Sequence, residues 1–261
     1  MIIFSNISRR FISVWRRNLI VYKKIWQINF LVPLFEPAFY ILAFGLGFKG
    51  LIGNVEYAGQ SYTYTQFIAP ALLATAVMWN SFFETTYASF VRMYYQKTFD
   101  GMLATPLSLE EVILAEIVWS ATKAAAAAAV MLVVLGLFGY VIFPSSLLVV
   151  LLAFLGGLAF GAIGMYFTGI TPTIDMFNLP IFLFITPMFL FSGTFFPVST
   201  LPEWARYISL LFPLYHLVEL TRFLTMGRME SAPLVNIVYL LLFAALFLWL
   251  SLRAMRRRLI K

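Results

Sequence analysis

Six stretches of mostly apolar residues constrain this chain more than any other feature. They lie at about 30–49, 66–89, 112–140, 146–170, 176–195 and 233–252. A helix needs roughly 20 apolar residues to cross the hydrocarbon of a bilayer. A backbone in hydrocarbon must satisfy its own hydrogen bonds, which favours helices. Only 11% of the 261 residues are charged, against about 25% in soluble domains. With 62% hydrophobic residues and a mean hydropathy of +0.91, a polar surface cannot cover the fold. The expectation is an all-α integral membrane protein with six transmembrane helices.

The basic residues orient it. Arg9, Arg10, Arg16, Arg17, Lys23, Lys24, Arg92, Lys97, Arg253, Arg256, Arg257, Arg258 and Lys261 share one side in a six-span arrangement. Lys49, Arg206, Arg222 and Arg228 share the other. Thirteen against four places both termini in the cytoplasm by the positive-inside rule. The net charge of +7 follows from topology, so nucleic acid is not implied. Residues 1–29 interleave their cations with Phe11, Ile12, Trp15, Leu19, Ile20 and Trp26. They lack the apolar core and cleavage site of a signal peptide and read as an amphipathic helix lying on the membrane. The spans at 30–252 form one transmembrane domain, and 253–261 a basic cytoplasmic tail.

Chemistry of the chain's own is hard to find. There is no cysteine and one histidine, His216, which excludes disulfides, thiolate nucleophiles and a histidine metal cluster. No G-x-x-x-x-G-K-[ST], H-E-x-x-H or G-x-S-x-G occurs. Catalytic residues, metal ligands and cofactors are therefore expected to be absent.

Charges within spans cost about 2.5–3.5 kcal/mol each on insertion scales and are usually paired. Glu36, Glu84, Glu116 and Lys123 are such charges, all toward the cytoplasmic side. Lys123 is deepest, about 16 Å above the start of its span at a 1.5 Å rise. The four suggest a polar network coupling helix movement to the cytoplasmic face. A static ion pair of Lys123 with Glu84 or Glu116 is the alternative. A proton relay is a third, disfavoured because the outer half of the spans holds no acid. Ala153, Gly157 and Gly161 recur every four residues and mark close helix packing without naming a partner.

Residues 196–232 are apolar for an outer loop and are punctuated by Pro197, Pro202 and Pro213. Glu203–Leu211 suits a short helix with Trp204, Ile208 and Leu211 on one face. A re-entrant outer hairpin is expected, with a surface-lying helix as the alternative.

The segment 83–124 carries the most information. Ser108-Leu-Glu-Glu reads as a capping box. The chain is expected to leave the second span, form a short helix near Arg92–Leu103, turn at Thr105-Pro106 and restart at Ser108. Phe83-Glu84 through Tyr87-Ala88, Arg92-Met93, Gln96, Thr98, Met102-Leu103, Pro106-Leu107 and Trp119–Ala124 together resemble the permease subunits of ABC-2 type exporters. Pro187-Met188, Phe191-Ser192-Gly193, Phe196-Pro197, Leu201-Pro202 and Pro213-Leu214 extend the likeness. It covers roughly 15–258 and is nearest the nodulation-type lipo-oligosaccharide exporters. Ala115 stands where many relatives are expected to have Gly.

The resemblance implies a half-transporter in the bacterial inner membrane. Two copies would form a homodimer, and a separate ABC ATPase subunit would bind ATP and Mg. A coupling helix with Arg92, Gln96, Thr98, Asp100 and Leu103 would meet that ATPase. An outer gate would involve Phe195, Phe196, Pro197, Pro202, Trp204 and Pro213. The implied cargo is an amphipathic glycan or glycolipid, a lipo-oligosaccharide or polysaccharide, moved among membrane lipids. Alternatives are a drug or lipid exporter of the same class, an ion-coupled secondary transporter, or a lipid-modifying enzyme. A secondary transporter would show inverted repeats, and an enzyme a cluster of acids or histidines at one face.

Overall fold

A computed structural model describes residues 8–47 and 53–260. Helices α1 (Phe11–Lys24) and α2 (Trp26–Gly47) are separated only by Ile25. The expected first span lies in α2, with its last two positions, including Lys49, outside the described residues. Met1–Ile7 of the expected interfacial segment and Lys261 of the tail also lie outside them. The polar loop that follows α2 holds a hairpin instead: β1 (Val55–Tyr57) pairs antiparallel with β2 (Gln60–Tyr62). Ala58 (φ 49°) and Gly59 (φ 75°) supply the two left-handed positions of a type I′ turn.

Thr63 and Gln66 form a capping box that opens α3 (Tyr64–Phe83). The rod then continues through π-helical stretches Glu84–Ala88 and Val91–Tyr95, well past the expected end at 89. Next come α4 (Thr98–Leu103), α5 (Leu109–Leu137) and α6 (Leu148–Ile170). The short α7 (Asn178–Pro180), a π stretch Ile181–Ile185 and α8 (Thr186–Phe191) run on as one rod. Finally α9 (Glu203–Leu211), α10 (Pro213–Met226) and α11 (Pro233–Leu259) complete the chain. Among the described residues, five rods are long and apolar enough to cross a membrane: Tyr64–Tyr95, Leu109–Leu137, Ser145–Ile170, Ile174–Phe191 and Pro233–Leu259. Within α2 the apolar stretch Phe30–Ala43 is shorter.

Helix α6 is the axis of the bundle, and its glycines explain why. A Cβ on Gly157 would stand 2.6 Å from Ala121 Cα of α5, and one on Gly161 would collide with Ser120 Oγ. Gly156 faces Leu217 of α10, Gly164 faces Thr85 of the α3 rod, and Gly169 faces Ala254 of α11. The small-residue stripe is thus spent on contacts within the chain, where bare backbone lets helices approach closely. Phe82, Ala124, Ala128, Ala153, Phe160, Leu217 and Leu240 fill the core around it.

One further expectation needs correction. Arg92–Leu103 is not one helix: Lys97 adopts φ 53°, and the left-handed residue separates the α3 rod from α4. Residues 196–232, expected as a helical hairpin, hold α9 and α10, with Pro213 at the first turn of α10 and Gly227 (φ 72°) closing it. The basic segment after 252 is helical, because α11 runs to Leu259. Cations in a last helical turn suit the negative end of the macrodipole.

Candidate functional site

At the N-terminal end of α5, three elements meet around four buried or half-buried charges. The π turns matter here. In a straight α-helix Glu84 and Arg92, eight residues apart, would be about 80° out of phase. Two π turns re-aim the rod, and Arg92 Nη1 lies 2.9 Å from Glu84 Oε1. Its Nη2 and Nε meet Glu116 Oε2 at 2.5 and 3.0 Å. Lys123 Nζ reaches the other oxygen of Glu84 at 2.9 Å. Two carboxylates and two cations balance, which is what removal from water demands.

Neutral donors complete the cluster. Trp119 Nε1 donates to Glu84 Oε1 at 3.2 Å, and Ser89 Oγ donates to Glu116 Oε2 at 2.7 Å. Asn18 Nδ2 of α1 donates to Glu116 Oε1 at 3.0 Å, and Asn18 Oδ1 accepts from Arg17 Nη1 at 3.0 Å. Glu116 itself is wholly buried. Trp15 Nε1 donates to Thr122 Oγ1 at 3.0 Å, and Tyr22 packs edge-on to Trp119. Burial against the bundle lowers the Arg17 pKa, with the charge of Glu116 opposing, and raises that of Tyr22. A cavity of 320 Å³ opens beside the cluster, lined among others by Arg17, Tyr22, Glu84, Arg92, Gln96 and Lys123.

Of the four charges singled out in the sequence, the structure brings Glu84, Glu116 and Lys123 into one cluster, and adds Arg92, Asn18, Ser89 and Trp119. It does not join Glu36, which sits with Val32, Phe35, Phe39 and Tyr40 along an apolar groove of α2. Among the described residues Glu36 forms no ion pair.

Next to the cluster lies a composite surface. The capping box of Ser108 and Glu111 forms as expected. Ser8 N also donates to Glu111 Oε1 at 3.0 Å, and Arg10 Nη1 to Pro106 O at 2.7 Å. The start of α1 is thereby tied to the turn between α4 and α5. Phe99 and Met102 bury the inner face of α4 against Ile113, Met165 and Met255, and Leu103 packs there half-buried. Gln96 and Asp100 are exposed, Thr98 half-buried. Tyr94 and Tyr95, which sequence reading passed over, stand exposed beside them. Arg92, expected on this surface, points inward instead.

A second polar lock lies at the other end of the bundle, where no buried acid was expected. Glu219 of α10 accepts from Tyr57 Oη at 2.8 Å and from Glu230 N at 3.0 Å. Arg222, only 1% exposed, donates to Gly193 O at 2.7 Å and lies 3.8 Å from the centroid of the Phe67 ring. Burial and the neighbouring Glu219 raise the Tyr57 pKa, so it remains a neutral donor. The signal was present: Glu219 and Arg222 are three apart between Pro213 and Gly227, as on one helix face.

Of the expected outer residues, Phe195 packs edge-on to Phe189, Phe191 contacts Trp204, and Pro197 and Pro213 are buried. Phe196, Pro202 and Trp204 are exposed. The expected helix Glu203–Leu211 exists as α9, with Trp204, Ile208 and Leu211 facing away from the bundle and Ala205 and Ser209 facing in.

The ABC-2 type transporter family matches residues 9–226, which include Glu84, Arg92, Glu116, Lys123, Glu219 and Arg222. The chain belongs to this family. Nodulation protein J of Sinorhizobium fredii (strain NBRC 101917 / NGR234) is 35% identical over 249 residues, 95% of this chain and 94% of that protein. Nodulation protein J of Rhizobium leguminosarum bv. trifolii is 36% identical over 254 residues, covering 97% and 95%. The inner membrane transport permease YadH of Escherichia coli (strain K12) is 24% identical over 226 residues, covering 86% and 85%. The chain is thus a helical membrane protein of a transporter family, similar along its length to nodulation J proteins.

Proposed function

We propose that this chain is the permease subunit of an ATP-driven exporter. It carries an amphipathic glycan or glycolipid, of the lipo-oligosaccharide or polysaccharide kind, out of the cytoplasm. Six spans cross the inner membrane, α2 being the first, and both termini are cytoplasmic. Two copies pair around the path, and a separate ABC ATPase binds ATP and Mg. The observation that carries this reading is the composite surface. A chain without a nucleotide motif ties α1 to the turn before α5 and exposes Tyr94, Tyr95 and Gln96 just before α4 and Asp100 on it, while Phe99 and Met102 anchor α4 to the bundle. Such a surface suits a soluble motor pressing from below. The Glu84–Arg92–Glu116–Lys123 cluster sits directly above it and links α1, the α3 rod and α5, so a push on one is felt by the others. The α9–α10 hairpin re-enters from the outer side and closes the path.

Affinity purification of the chain from native membranes in mild detergent, with mass spectrometry of what accompanies it, tests this. A stoichiometric P-loop ATPase is expected. A chain that leaves the native membrane alone at normal abundance would contradict the reading.

A further inference from the structure

Helix α6 ends at Ile170, and Pro172 turns the chain aside, while α11 continues to Leu259. The mismatch leaves an open groove of 740 Å³ lined by Tyr166, Gly169, Ile170, Pro172, Leu250, Arg253, Ala254, Arg257 and Arg258, with no carboxylate among the described residues of its wall. Its floor is the close contact of Gly169 with Ala254, where a Cβ would stand 2.7 Å from the alanine methyl. The three arginines differ in role. Arg258 Nη1 donates to Thr168 O at 2.6 Å and also to Thr171 O, satisfying carbonyls that the end of α6 leaves open. Arg253 and Arg257, one turn apart, are both exposed, and neither forms an ion pair among the described residues. The Arg253 guanidinium lies 5.4 Å from the ring of Trp249, itself part-exposed. Above it, Leu246, Leu242 and Leu241 of the same helix face outward.

This is the chemistry of a bilayer boundary: an apolar outward stripe, a tryptophan at its end, and two free guanidinium groups over a cavity without acids. We propose that the groove seats the headgroup of an anionic phospholipid, with Arg253 and Arg257 on its phosphate and the acyl chains along α11. The site rests on the reading above that this end of the bundle meets the cytoplasmic leaflet. Lipid retention by the chain does not depend on an ATPase, so the two readings fail separately.

The test is native mass spectrometry of the full chain, with whatever subunits accompany it, after exchange into mixed phosphatidylglycerol and phosphatidylcholine vesicles. The wild-type chain is expected to retain phosphatidylglycerol about tenfold over phosphatidylcholine, in line with the attraction of two cations near a surface. Arg253→Gln with Arg257→Gln should bring the ratio close to one, while the paired lysine substitutions should keep most of it. On the unmutated chain, phosphatidylglycerol should shield Arg253 and Arg257 from phenylglyoxal. The proposal is overturned by a wild-type chain without preference, by a glutamine pair that keeps it, by labelling that lipid does not change, or by a glutamine pair that sheds a protein subunit while its lipid preference stands.

Discussion

Glu84 offers one oxygen to Arg92 and the other to Lys123, while among the described residues Glu116 is ion-paired with Arg92 only. The two cations are therefore unequal. Losing Lys123 leaves both acids still bound to Arg92. Losing Arg92 strands the wholly buried Glu116 with only Asn18 and Ser89 to solvate it. Breaking a buried pair by removing one partner costs about 3–5 kcal/mol. Arg92→Ala should accordingly lower the midpoint of thermal unfolding in detergent far more than Lys123→Ala, and equal losses would contradict the geometry. A paired Glu84→Ala and Lys123→Ala change should not be fully silent, because Glu84 also holds Arg92 and Trp119. The Glu84–Lys123 pair was legible in the sequence as charges within apolar stretches. The place of Arg92 was not, since only the π turns bring it round to α5, and no residue pattern announces them.

At the scale of elements, α6 governs the packing. Gly157→Val would drive side-chain atoms into Ala121, and overpacking of this kind costs about 1–3 kcal/mol. Gly101, exposed on α4, has nothing within 4 Å of a Cβ. Gly101→Ala should raise stability by about 0.5–1 kcal/mol through helix propensity. The two glycine changes should move the unfolding midpoint in opposite directions; a shared direction would mean that α6 is not the axis. The starts of elements were readable where chemistry is local. The Ser108–Glu111 cap and the Glu203–Leu211 helix stand where the residues put them. Continuations were harder. Apolarity fades before the α3 rod and α11 end, since their last turns carry Arg92 and Arg256–Arg258. Helix α10 falls within the expected hairpin, but its charges left its bounds unread.

Across the whole molecule, both ends of the described chain gather at the start of α5. Ser8 N bonds Glu111, and Arg256 Nη1 lies 3.9 Å from Glu110 Oε1. On the proposed six-span reading an even number of crossings puts both ends on one side, and the charge asymmetry argues for the cytoplasm. Membrane class, helical architecture and transporter family were all legible from apolar stretches and scattered residue identities. The second lock was legible only in part: Glu219 and Arg222 are spaced for one helix face, while Tyr57 stands 162 positions from Glu219. If the bundle is worked from below, energy must come from another polypeptide. The direct test is ATP hydrolysis and glycolipid movement in proteoliposomes holding the chain alone, the co-purified ATPase alone, or both. The account predicts no hydrolysis by the chain alone, glycolipid movement only with both and with ATP, and a marked loss of movement for Asp100→Arg. ATP turnover by the chain alone, or glycolipid movement driven by an ion gradient without the ATPase, would contradict it.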